Sequence, residues 1–220
     1  MFGGNPSRVA IIAFLIIVIY VLLGYFIPRE ESLYFLSLYA SSWALTYALL
    51  KRISIQTIFW LGIAFRFVFL IALPSLSQDF YRFIWDGLLL QNELNPYAFS
   101  PNELMADNAF FNPSLKSELF SGMGELSAQH YSNYPPVNQL GFLFSVKWLP
   151  NHLLGTVVIM RLLLILAEVG LFLIAQRILR QLDLPTKRLG WYFLNPIIIL
   201  ELTGNLHWEG VMLFFFALGF

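Results

Sequence analysis

The sequence predicts an all-α protein that crosses a membrane several times and carries a folded segment outside it. Three observations point there. The 220 residues are 58% hydrophobic and only 12% charged, against about a quarter charged in an ordinary soluble domain. Apolar runs recur at the length of a bilayer-crossing helix, which needs about 20 residues. Basic residues gather in alternate connections and acidic residues in the long one between them.

The first run, Val9–Ile27, follows a lone Arg8. It is longer than a signal-peptide core and has no small-residue cleavage site, so it reads as an uncleaved span. The second span is expected at Ser32–Leu50 and the third at Ile55–Leu73, which places three helices within residues 1–74. The fourth is expected at Leu153–Ile178. The fifth, Leu189–Thr203, is short and broken by Asn195-Pro196. A sixth starts at Val211 and reaches Phe220 as VMLFFFALGF, too short to cross, the pattern expected of the N-terminal part of a longer protein.

Orientation follows from the basic residues. Arg8, Lys51, Arg52, Arg177, Arg180, Lys187 and Arg188 all share one side if the N-terminus is cytoplasmic. Residues 75–136 then lie outside, with Asp79, Asp86, Glu93, Glu103, Asp107, Glu118 and Glu125 against only Arg82 and Lys116. That segment is rich in aromatics and turn formers, so it is expected to fold with short helices. Val137–Pro150, VNQLGFLFSVKWLP, is apolar but too short to cross. Spanning would send the basic connection at 177–188 outside. It therefore reads as a re-entrant or interfacial helix, with Lys147 and Trp148 suited to an interface.

Composition also excludes chemistries. Net charge is formally zero, which gives no footing for nucleic acid, and there is no cysteine for disulfides, thiolate metal sites or thiol nucleophiles. No Gly-rich phosphate loop, metal-ligand spacing or serine elbow is present.

The chemistry-bearing residues lie in SQDFYRFIWDG, residues 77–87. On a helix, Asp79, Arg82 and Asp86 fall on one face, where Arg82 is able to pair with either acid. Tyr81 and Trp85, four apart, would form an aromatic wall. Asn95-Pro96 makes a turn that presents Tyr97. YSNYPPVNQ follows, with Tyr134 before a rigid Pro135-Pro136. NLHWEG then supplies Asn205, His207 and Glu209, after Glu201 at the end of an apolar stretch. An ionisable residue in such a stretch is costly and usually functional. Arg66, Arg161 and Glu168 lie within spans, each open to pairing elsewhere or with a lipid phosphate. Singly, these features also fit a solvated helix cap, a plain turn and an interfacial histidine. Together they suit one reaction: a carboxylate deprotonates an acceptor hydroxyl while a cation holds a departing phosphate. The donor would be amphipathic, its lipid tail in the bilayer and its sugar at the outer face.

The run QDFYRFIWDGLLLQNELNPY resembles D-x-Y-R-Y-x-W-D-G-x(n)-G-x-N-P-Y, a pattern of bacterial membrane glycosyltransferases of the GT-C fold. YPPVNQ and NLHWEG resemble that group's Y-P-P-x-x-Q and N-x-H-x-E elements, in the same order. The pattern resembles that of polyprenol-phosphate-mannose-dependent mannosyltransferases, including the mycobacterial-type α-mannosyltransferases. It implies a GT-C-like helix bundle in the bacterial plasma membrane. It implies Asp79 as catalytic base on the outer face. Tyr81, Arg82, Trp85, Asp86, Asn95, Tyr97 and Tyr134 would bind the sugar and phosphate, with Glu201, Asn205, His207 and Glu209 approaching from the other side. The implied reaction moves a hexose, mannose above all, from a polyprenyl phosphate to a glycan or lipid acceptor, with no cofactor. One acid stands at Gln78-Asp79 where many of these enzymes carry two, which leaves a divalent-metal requirement open. Glu93-Leu94 also stands where the pattern has glycine. A transporter of lipid-linked sugars would place charges near the bilayer midplane and show repeats; none is visible. A non-catalytic assembly subunit would tolerate Asp79→Asn.

Overall fold

A computed structural model describes residues 5–28, 30–105 and 112–220. Asp107, counted above among the outer acids, lies outside the described residues. Among the described residues all regular secondary structure is helical. The chain divides into two compact units, residues 1–76 with 164–220, and residues 77–163.

The first unit opens with α1 (Pro6–Tyr25), α2 (Ser32–Leu50) and α3 (Ile55–Phe67). α1 starts where the Asn5 side chain accepts from the Ser7 amide and Pro6 occupies the first turn, where its missing N–H costs nothing. Helices suit lipid because every interior backbone group is satisfied within the segment. Both α1 and α2 are long and apolar enough to cross a membrane. The third expected span closes sooner. α3 ends at Phe67, and the next amides bond back three residues: Phe69 to Arg66, Leu70 to Phe67, Ala72 to Phe69. Pro74 lies just ahead and disfavours helix before it.

α8 (Leu153–Gln181) has 29 residues and is the third helix long and apolar enough to cross. At 1.5 Å per residue it is roughly 43 Å long, more than the hydrocarbon core needs. After it the chain is broken into short pieces. A 3₁₀ turn (Thr186–Leu189) leads to α9 (Gly190–Phe193); α10 (Pro196–Ile198) runs into a π-turn at Ile199–Gly204; α11 (Glu209–Leu218) follows. The break falls at Asn195-Pro196, where the Asn195 side chain caps α10 by accepting from the Ile197 amide. The core of this unit gathers Ile16, Tyr20 and Leu23 of α1, Phe65 of α3, Phe172 of α8 and Phe193 of α9. Arg66 and Glu168 are buried within it as an ion pair at 2.9 Å, with the Tyr192 hydroxyl donating to Glu168 at 2.9 Å. Arg66 also donates to the carbonyls of Gly62 and Phe193.

The second unit is built on α4 (Asp79–Gln91), which packs against α6 (Pro113–Gln129) and α7 (Pro136–Trp148). The short α5 (Pro101–Leu104) has a capping box, with Ser100 and Glu103 each satisfying the other's backbone amide. Lys116 of α6 is buried and donates to the Leu104 and Met105 carbonyls at the other end of α5. α6 bends at Gly124, whose φ of 75° lies in the left-handed region that suits glycine. α4 packs closely on α7. A Cβ on Gly87 would stand 2.7 Å from the Phe142 carbonyl oxygen.

Candidate functional site

Asp79 stands in the first turn of α4, where the helix N-terminus favours a carboxylate. One helical turn along, Arg82 begins a buried network. Its Nε donates to Asp86 Oδ1 at 2.7 Å, the two side chains 3% and 0% exposed. The other Asp86 oxygen accepts from the Ser132 hydroxyl and from Gln139 Nε2 at 2.9 Å. Arg82 Nη1 donates to the carbonyls of Ser127 and His130 at 2.8 and 2.9 Å. Burial pushes the Asp86 carboxyl above its ordinary range, while the Arg82 guanidinium and the Ser132 and Gln139 donors pull it back. The network fastens residues 127–139 onto α4. Among the described residues, Arg82 Nη2 has no hydrogen-bond partner.

That fastening forms a cavity of about 640 Å³, lined by Gln78, Asp79 and Arg82 on one side and by residues 126–127 and 130–134 on the other. Asp79, Arg82, His130 and two tyrosines, Tyr131 and Tyr134, thus line one open space. His130 Nδ1 lies 2.7 Å from the Leu126 carbonyl, so that nitrogen carries the proton in the neutral ring and Nε2 is left as acceptor. Tyr134 is half-buried, its ring edge-on to Phe83 and Phe142. Its carbonyl accepts from the Tyr97 hydroxyl at 2.6 Å. Tyr97 is itself set by Asn95, whose side chain accepts from the Tyr97 amide. Burial and the Asp86 carboxylate push the Tyr97 phenol up.

The expected aromatic wall faces elsewhere. The Tyr81 ring lies over Gly122 of α6, where a Cβ would come within 2.6 Å of it. Trp85 is fully buried, its ring 6.5 Å from that of Phe120. Neither lines the cavity, because burying two large rings against α6 removes much apolar area from water. Asp86 is likewise enclosed by its three donors.

The remaining candidates belong to the first unit. Asn205 Nδ2 donates to Glu201 Oε2 at 3.2 Å, and His207 Nδ1 lies 3.3 Å from the same oxygen. The π-turn and Leu206, at a φ of 61°, bring the three together. π-turns and left-handed non-glycine residues are both frequent at functional sites. Glu209 is exposed in the first turn of α11. Among the described residues no group of three or more His, Asp or Glu lies close enough to hold a metal ion.

Sequence reasoning did not single out Ser132, Gln139 or His130. Gln139 had a signal, since it closes the YPPVNQ stretch. Ser132 and His130 had none that separates them from ordinary loop residues.

No curated protein and no solved structure matches the chain. The family model described as alpha-(1->6)-mannopyranosyltransferase, N-terminal domain (MptA_B family) matches residues 32–220, most of the sequence, and the protein belongs to this mannosyltransferase family.

Proposed function

We propose that the protein transfers mannose from a polyprenyl-phosphate sugar to a glycan or lipid acceptor on the outer face of a bacterial plasma membrane, within a GT-C-type helix bundle. Asp79 is the general base. The observation that carries this reading is that Asp79 and Arg82, one helical turn apart on α4, both line one open cavity. Asp79 takes the proton of the acceptor hydroxyl; the oxygen forms a bond to the anomeric carbon; the bond from that carbon to the phosphate oxygen breaks. The phosphate keeps the electron pair, and the Arg82 guanidinium stabilises the charge that develops on it. Tyr134 and Tyr97 offer a ring and a hydroxyl to the sugar. Tyr81, Trp85, Asp86 and Asn95 hold the surrounding backbone and α4 in place. Glu201, Asn205, His207 and Glu209 form a second set of substrate contacts.

The test is transfer from radiolabelled polyprenyl-phosphate mannose in membranes that carry the protein at its full natural length, wild type against Asp79→Asn. A loss of about 10²–10⁴-fold in rate with unchanged thermal unfolding is expected for a removed general base. Equal transfer by both proteins removes Asp79 from the chemistry. Absence of transfer by either moves the reading to another lipid-linked sugar.

A further inference from the structure

We propose that α7 lies in the membrane surface, with one face sunk into the boundary between lipid headgroups and acyl chains, and so holds the second unit against the bilayer. The inference does not rest on the proposed chemistry. It rests on the exposed face of α7 and on its attachment to α8.

α7 has an exposed face and a buried one, the latter with Gln139, Phe142, Ser145 and Val146. On the other, Val137, Leu140, Phe144 and Trp148 recur at helical spacing and are 49%, 65%, 46% and 62% exposed. A contiguous apolar stripe of this kind marks an interaction surface. Lys147 sits at its flank, 6.0 Å from the Trp148 ring, and Phe144 packs edge-on to Trp148. An aromatic ring beside a lysine able to extend toward headgroups is the usual composition of a membrane interface.

The occupant follows from what comes next in the chain. α8 begins at Leu153, and its apolar exposed side starts at once with Leu154 and continues through Leu162, Leu166 and Leu173. The apolar run of α8, 29 residues where about 20 cross the core, reaches back to its first turn. Between the two helices lie residues 149–152, drawn tight: the His152 amide and the Thr156 hydroxyl both donate to the Leu149 carbonyl. Five residues lie between Trp148 and Leu154, a reach of roughly 20 Å even if fully extended. The C-terminal end of α7 is therefore tied to the point where α8 meets the lipid. Thirteen residues span roughly 20 Å as a helix, too short to cross. Lying along the surface is the arrangement that covers the stripe with lipid while leaving Lys147 in the headgroups.

The test uses the absence of cysteine from these 220 residues. Leu140→Cys and Phe144→Cys, each labelled with an environment-sensitive fluorophore, are reconstituted in vesicles of phosphatidylethanolamine and phosphatidylglycerol. Leu166→Cys on α8 serves as the lipid-facing standard and Ser117→Cys on α6 as a polar, exposed one. Each variant is first shown to keep the parent's thermal unfolding. The expected result is blue-shifted emission at 140 and 144, with quenching by shallow doxyl lipids and little by aqueous iodide. The depth should be about 5–10 Å below the headgroups. Quenching by iodide equal to that at 117 overturns the proposal. So does protection from both quenchers, which would mean that a second copy or another protein covers the face.

Discussion

Arg66 and Glu168 stand 102 positions apart in the sequence and meet at 2.9 Å, neither side chain exposed at all. Removing one partner of a buried pair leaves the other charge uncompensated. Glu168→Ala is expected to cost about 3–5 kcal/mol, read as a large fall in thermal unfolding temperature in detergent. Tyr192→Phe removes a single hydrogen bond to Glu168 and should cost only about 1 kcal/mol. Equal, small losses for both would show that Arg66 finds another partner when Glu168 is gone.

Arg82 is held by its geometry as much as by its charge. Its fork reaches Asp86 and two carbonyls at once. Lysine carries the charge without the fork. Arg82→Lys should lower both stability and transfer rate, and pairing it with Asp86→Asn should give a coupling energy of about 0.5–3 kcal/mol in a double-mutant cycle. Additive losses would show that the two side chains act independently.

Gly87 carries a steric prediction. An added Cβ would meet the backbone of Phe142 at 2.7 and 2.8 Å, and a backbone does not swing aside as a flexible side chain does. Gly87→Ala should cost about 1–3 kcal/mol by overpacking, and more if the helices must separate. Thermal unfolding checks it; an unchanged midpoint would mean that α7 shifts freely.

The capping box of α5 gives a pH dependence. The Ser100 amide and hydroxyl hold the Glu103 carboxyl below its ordinary range, as the Tyr131 hydroxyl also does. A carboxyl lowered in the folded state contributes stability above its unfolded value and loses it as the pH falls through the folded one. Exchange of the Ser100 amide should therefore be slow at neutral pH and lose protection, relative to neighbouring amides, in the acid range below the usual glutamate value. Glu103→Gln should abolish that dependence.

The membrane helices were legible because their signal is local. The bounds Ser32–Leu50 follow from an apolar run between charged ends, and the helix carrying Asp79, Arg82 and Asp86 from spacing alone. Asparagine or serine before proline opens α1, α5, α6 and α10, a start signal written directly in the letters. What the sequence hid is what distant segments do to one another. Nothing near Asp86 says that Ser132 and Gln139 will occupy it. The early end of α3 came from turns that an apolar run does not reveal. The glycine of the WDG triplet was visible, but not the backbone that comes against it. Tyr81 and Trp85 were on the expected helix, yet which neighbour their face would meet depended on α6.

The turn at Ile199–Gly204 has a consequence for anyone moving this cluster into another protein. In an uninterrupted α-helix Glu201 and Asn205 would share a face, and His207 would point about 120° away. The histidine meets the glutamate here because the backbone winds wide and then reverses hand at Leu206. The chemistry is thus encoded in register rather than in residue identity. A single-residue deletion anywhere in the turn would dissolve the cluster without touching one of its three side chains, and a graft of the letters alone would not recreate it.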